Sequence, residues 1–270
     1  MRLIPVSTYV RKLLNIYIFA EEIIGLLKIP EIKSILIEHK LSTFNEVLKE
    51  YKIIPELVSP VHPALQEIAE ELRKKIEAAI EEQKQRVEEI YPLTIINQSL
   101  SMMCSIFESF LIESLDIIFD KDNRYLIRLS QEKEMKLHKI IQHKTFDAII
   151  SYFKEKTLTA FSRDPIKDKF EKYFKGIGLK ISKFFDMSRY AKKVQIKFKN
   201  WDLKKLDSIF VERHGIVHEQ QYPLSYLNEL YDRKQFFENI ILNMSLEITD
   251  RFDIPNELRI RTEKKKSKSE

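Results

Sequence analysis

Glycine and cysteine are scarce in this chain of 270 residues, with four of the first and one of the second. A single cysteine excludes a disulfide scaffold and any zinc cluster built on cysteine. Four glycines are too few for a dinucleotide-binding or P-loop architecture, and neither GxGxxG nor GxxxxGK occurs. Asn-Gly and Asp-Gly, the pairs that tight hairpins consume, are missing as well, which argues against a sheet-rich fold. Long apolar runs are also lacking. Leu13 to Ala20, set between Arg11-Lys12 and Glu21-Glu22, is too short to span a bilayer and has no small-x-small cleavage site. The uncharged stretch Tyr91 to Phe107 contains Asn97, Gln98, Ser99, Ser101 and Ser105 and reads as a buried helix, with Cys104 an inert core residue. No membrane association and a cytoplasmic location are therefore expected.

What is present is helical periodicity along nearly the whole chain, so the expected fold class is all-α. The spacing predicts a helix over Tyr9 to Leu27, a short one over Glu31 to Glu38, and another capped by Ser42. Pro55, Pro60 and Pro63 punctuate a linker. From Ala64 to Ile90, strong helix formers carry a narrow stripe of Leu65, Ile68, Leu72, Ile76 and Ile80, suited to pairing with a partner helix. Leu93 to Phe119 is apolar on several sides and is expected at the centre of the core. Further helices are predicted over Glu132 to Phe153, Pro165 to Phe174 (with Asp164 as a carboxylate cap), Ile181 to Tyr190, Trp201 to about Val217 (with Asn200 as cap), and Gln235 to Asp250. The tail from Arg259 has almost no apolar residues and reads as disordered. These readings divide the chain into an N-terminal helical extension over 1–62, a main helical domain over 63–256 and a basic tail over 257–270.

Charge is unevenly placed. The overall balance is +5, yet residues 163–205 hold fourteen Lys/Arg against five Asp/Glu, a net +9. Lys192, Lys193, Lys197, Lys199, Lys204 and Lys205 are the candidate contacts to a polyanion. Phe174, Phe184, Phe185, Tyr190, Phe198 and Trp201 interleave with the lysines, the mixture of residue types used by single-stranded RNA sites. The bland reading is a solvated basic face over core aromatics.

Immediately beyond lies Glu212-Arg213-His214-Gly215-Ile216-Val217-His218-Glu219. An arginine and a histidine suit phosphodiester chemistry: imidazole moves protons near neutral pH, and guanidinium holds phosphate charge through forked hydrogen bonds. Five residues turn an ideal helix by about 140°, so Arg213 and His218 would not share a face. A distortion or helix end at Gly215, or a two-fold dimer, would be needed to bring such groups together. Arg213 could instead form a structural ion pair with Glu108, Glu212 or Glu219, and His218 could be a buried, hydrogen-bonded histidine. His214 and His218 have metal-ligand spacing, but no HExxH, nearby cysteine or third ligand accompanies them. No metal and no other cofactor is expected.

RHGIVH resembles the Arg-[Asn/Asp/His]-x-x-x-His signature of the HEPN superfamily, in its larger RiboL-PSP-HEPN-like type. The upstream IFESFL (Ile106 to Leu111) is similar to that family's acidic-aromatic helix, and KYFKGIGL followed by WDLKKLDSIFVERHGIVH resembles the approach to the motif. The resemblance covers roughly 90–250. It departs from the toxin-type variant at Gln220, where that variant carries tyrosine. It implies an all-helical bundle and a metal-independent endoribonuclease, with Arg213, His214 and His218 catalytic and Glu108 and Glu219 supporting. It also implies RNA as substrate, a homodimer with the site at its interface, and a setting in phage defence or a toxin–antitoxin pair with an unknown antitoxin or regulator. The alternative is a non-catalytic HEPN-like module binding RNA, nucleotides or a protein.

Overall fold

A computed structural model describes residues 2–50, 63–130, 145–186 and 201–257 of the chain. Among these residues the fold is all-α, with a single parallel bridge between Ile4 and Asn256 outside the helices. The helices are α1 (Val6–Leu26), α2 (Pro30–Glu50), α3 (Pro63–Gln85), α4 (Tyr91–Lys121), α5 (Asn123–Leu129), α6 (Phe146–Arg163), α7 (Ile166–Asp168), α8 (Ile181–Phe184), α9 (Leu203–Glu219) and α10 (Leu227–Phe252). Two π-turns join them: Arg86–Ile90 carries α3 into α4 without a break, and Lys169–Phe174 continues α7.

The centre is made by α4 and α10, the two helices with the most buried side chains. Phe107 of α4 lies 4.9 Å from Phe237 of α10, ring centroid to ring centroid. Around this pair the core gathers Tyr9, Leu13 and Ile16 of α1, Phe161 of α6, Phe170 and Phe174 of the second π-turn, and Leu206, Ile209 and Ile216 of α9. A core of this kind forms because each of these helices is apolar on one stripe and must cover it.

Packing crosses the expected boundary at residue 62. Helix α1 lies against α4 and α10. Tyr9 donates to Glu113 at 2.8 Å, Arg2 pairs with Asp116 and Asp120, and Ser7 meets Glu257. By contrast α2 pairs with α3, and Lys33 near its start meets Glu88 of the first π-turn at 2.8 Å.

Several expected boundaries shift for local reasons. Pro30–Glu50 is one helix, and Ser42 is not a cap: its hydroxyl donates to the His39 carbonyl one turn back. Asp164 ends α6 without capping α7; its carboxylate instead accepts from Tyr173 at 2.8 Å and Lys172 at 3.1 Å, and Pro165 occupies the cap position. The cap of α9 is Asp202, which accepts from the Lys205 backbone N–H at 2.9 Å. The last helix begins eight residues earlier than its periodicity suggested, at Leu227, with Glu229 accepting from the Ser225 and Tyr226 backbone N–H groups. The Pro55 and Pro60 linker, the start of the expected 132–153 helix, residues 187–200 and the tail lie outside the described residues.

Candidate active site

Helix α9 forms because Asp202 caps it and Leu206, Ile209 and Ile216 return to one side at steps of three and seven residues. That side packs on α4. Gly215 does not distort it, contrary to the expectation from its glycine: the helix runs through to Glu219 and closes on Gln220 in the left-handed conformation. The Gly215 carbonyl accepts the closing bond from the Gln221 N–H at 3.1 Å, six residues on. A side chain at Gly215 would meet the Gln221 amide, the end of a flexible chain, so the glycine keeps room for this closure and does not supply an unusual backbone angle.

Because the helix is regular, Arg213 and His218 stay about 140° apart. Arg213 falls on the α4 side. Its Nη1 donates to Glu108 Oε2 at 3.0 Å, and its Nε is buried without a partner among the described residues. Glu108 Oε1 accepts from Lys169 Nζ at 2.6 Å. Glu108 therefore bridges two cations, and one of them is almost wholly buried: the Lys169 side chain is 2% exposed, against 33% for Arg213. The π-turn at Lys169 delivers this ammonium into the core, where it also sits 5.7 Å over the Phe161 ring. Ion pairing to both cations offsets the desolvation that a carboxylate would otherwise suffer in an apolar helix.

A second ion cluster flanks the first. Arg233 of α10 holds Glu212 with both Nε and Nη2, at 3.0 to 3.3 Å, and Lys205 stands 4.0 Å from the same carboxylate. Burial pulls the Lys205 ammonium below its usual range, the Arg233 charge adds to this, and Glu212 opposes it. Burial also pushes the Cys104 thiol up, which keeps it protonated and unreactive between these clusters.

His214 and His218 occupy the other side of α9. Both are exposed, their rings lie 4.5 Å apart, and neither has a hydrogen-bond or ion-pair partner among the described residues. Val211 and Val217 flank them at 67% and 50% exposure. Glu219 is also exposed and accepts from Gln221 Nε2 at 2.5 Å. The structure thus brings His214 to His218 and Arg213 to Glu108, but does not bring the two pairs together within one protomer.

Of the lysine candidates, Lys204 is exposed on the outer side of α9 and Lys205 is half-buried at the Glu212 cluster. Lys192, Lys193, Lys197 and Lys199 lie outside the described residues, as do Tyr190 and Phe198. Phe174 and Phe184 are wholly buried, and Trp201 packs edge-on against Phe236 at 4.5 Å, so these aromatics serve the core. No group of three or more His, Cys, Asp or Glu side chains among the described residues is arranged to hold a metal ion. No helix among them is long and apolar enough to cross a membrane.

One residue from each cluster, Lys169 and Arg233, escaped sequence reasoning. Lys169 sits on the apolar stripe of Ile166, Phe170 and Tyr173, a position from which a lysine must find a counter-charge or reach for water. Arg233 gives no such signal, because its partner lies on another helix. Comparisons with protein-family models, curated proteins and solved structures returned no match.

Proposed function

We propose that this chain is an endoribonuclease that needs no metal ion, working as a homodimer through the outer face of α9. The observation that carries the reading is the pair of exposed imidazoles of His214 and His218, one helical turn apart and without a hydrogen-bond or ion-pair partner among the described residues. The likeness of RHGIVH and IFESFL to the HEPN signature supports the same reading.

Imidazole is the side chain suited to taking and giving protons near neutral pH. In the proposed reaction His218 removes the proton of a ribose 2′-hydroxyl. The 2′-oxygen attacks phosphorus and the bond to the 5′-oxygen breaks. The leaving 5′-oxygen collects a proton from a second imidazole, supplied by His214 or by the other copy's α9. The products are a 2′,3′-cyclic phosphate and a 5′-hydroxyl, and DNA is inert because it lacks the nucleophile. Arg213, part-buried and held by Glu108 on the α4 side, contributes the cation that offsets charge gathering on the phosphorane. A second copy packed two-fold on the outer face of α9 would cover Val211 and Val217 and set two histidine pairs opposite each other. Lys204, on the same face, supplies attraction for the RNA backbone. A setting in phage defence or beside an antitoxin belongs to this proposal by family likeness alone.

Labelled RNA incubated in EDTA tests it. Wild type cleaves, while His218→Ala and Arg213→Ala each lose activity by about 10²-fold or more. Equal cleavage by either variant contradicts the assignment. The engagement of Arg213 by Glu108 favours one other reading, a module that binds RNA without cutting it. That reading predicts retention of RNA with no cleavage by any form.

A further inference from the structure

We propose that His214 and His218 form a two-imidazole chelate for a borderline divalent transition metal, zinc or copper(II), and that its occupancy silences the cleavage face. The silencing rests on the endoribonuclease reading; the chelate does not.

Two imidazole nitrogens on one ion, each about 2.0 to 2.1 Å from it, place the ring centroids about 5 Å apart at tetrahedral angles. The observed separation is 4.5 Å with the rings tilted 44°, so small side-chain rotations close the chelate. Residues four apart on a regular helix differ by about 40° in direction and about 6 Å in height, which keeps both rings over the same patch of solvent. The nitrogens are not otherwise engaged among the described residues. The nearby charges are already committed: Arg213 to Glu108, Glu212 to Arg233, and Glu219 to the Gln221 amide. Along α9 itself, the cation on the histidine side is Lys204, about three turns towards the helix start.

The absence of a third side-chain ligand among the described residues sets the character of the site. Within one chain water completes the coordination, so the ion exchanges more readily than in a closed four-ligand centre. Nitrogen donors without carboxylates select copper(II) over zinc and discriminate against magnesium and calcium, which take oxygen ligands. An imidazole whose lone pair is held by a metal cannot accept a proton. Occupancy therefore removes the general base of the proposed reaction, and a chelator restores it.

Zinc alone, titrated into the EDTA-stripped full chain against a chromophoric chelator, is the first test. One site per chain is expected, weakened about 100-fold in His214→Ala and in His218→Ala, because each loses the intramolecular second ligand. His39, His62, His138 and His143 remain in both variants and report the background. Equal zinc affinity in wild type and variants, or displacement of zinc by equimolar magnesium, overturns the chelate. The second arm reads RNA cleavage at saturating zinc, where loss of cleavage that EDTA reverses is expected. Undiminished cleavage at saturating zinc overturns the silencing. Tight, histidine-dependent zinc binding in a chain that cleaves no RNA under any condition supports the chelate and sinks the nuclease reading instead.

Discussion

On the α4 side of α9, Arg213 is tied through Glu108 to the buried Lys169, and Glu212 is held by two hydrogen-bonding atoms of Arg233. On the opposite side, the His214 and His218 rings lie against each other, exposed and without a hydrogen-bond or ion-pair partner among the described residues. One helix of seventeen residues thus carries a charged side made rigid by tertiary pairing and a titratable side left open. Charged groups committed to one another in the core contribute to a specific packing, and each becomes costly to remove singly. Groups left open contribute little to stability and are free to engage a ligand. The difference separates what builds α9 from what α9 is proposed to do, and substitutions on the two sides should fail in different ways.

The largest effect on stability is expected at Glu108. Glu108→Ala leaves Lys169 buried without its counter-charge, and urea unfolding should show a loss of about 3 to 5 kcal/mol. A loss under 1 kcal/mol would erase the distinction between the two sides. Lys169→Met sharpens the point, because it replaces the buried cation with an apolar chain of similar length while Arg213 still pairs with Glu108. Its cost should stay within about 1.5 kcal/mol by the same measurement. Asp202→Ala removes the cap that starts α9 on both sides at once and should cost about 1 kcal/mol.

A smaller, pH-dependent effect is expected where the inner cluster begins. Desolvation pushes the Asp164 carboxyl up, but the hydrogen bonds from Tyr173 and Lys172 outweigh it and hold the carboxyl below the usual carboxylate range. A carboxyl with a depressed folded pKa adds stability above its unfolded pKa and loses that contribution as pH falls through the folded value. Asp164 is half-buried and its partner Lys172 is exposed, so solvent screening still keeps the effect small. Asp164→Asn should lower the melting temperature at pH 7 by about 2 °C, and the gap to wild type should shrink progressively below about pH 4. A gap that stays constant down to pH 2 would contradict this. The smallest effects on stability belong to the outer side: His214→Ala and His218→Ala should each change unfolding free energy by less than about 0.5 kcal/mol.

Much of this was legible in the sequence where a residue's fate depends on its own helix. The apolar run from Leu93 to Phe119 could only be central, and it lies within α4. The 140° separation of Arg213 and His218 follows from helix geometry alone and persists because Gly215 leaves α9 regular. Glu108, a carboxylate among Phe107, Phe110 and Leu111, needed a partner, and Arg213 supplies one. What escaped depends on tertiary contacts. Asn200 and Asp202 are both fit caps on either side of Trp201, and Asp202 accepts the α9 backbone N–H while the indole packs on Phe236. Ser42 reads as a start signal, yet the chain continues as helix through it, with the hydroxyl turned back to His39. Lys169 lies sixty-one residues from Glu108, and no local pattern announces that pairing. The division at residue 62 followed the prolines, but α1 buries its apolar stripe against α4 and α10.

The open side of α9 is proposed to cut RNA by attack of the ribose 2′-hydroxyl. Identification of the product ends formed in EDTA, with wild type and His218→Ala compared at equal melting temperature, tests it most directly. Wild type is expected to give 2′,3′-cyclic phosphate and 5′-hydroxyl ends, and the folded His218→Ala chain none above background. Product ends bearing 5′-phosphate, cleavage abolished by EDTA, or undiminished cleavage by His218→Ala would contradict it.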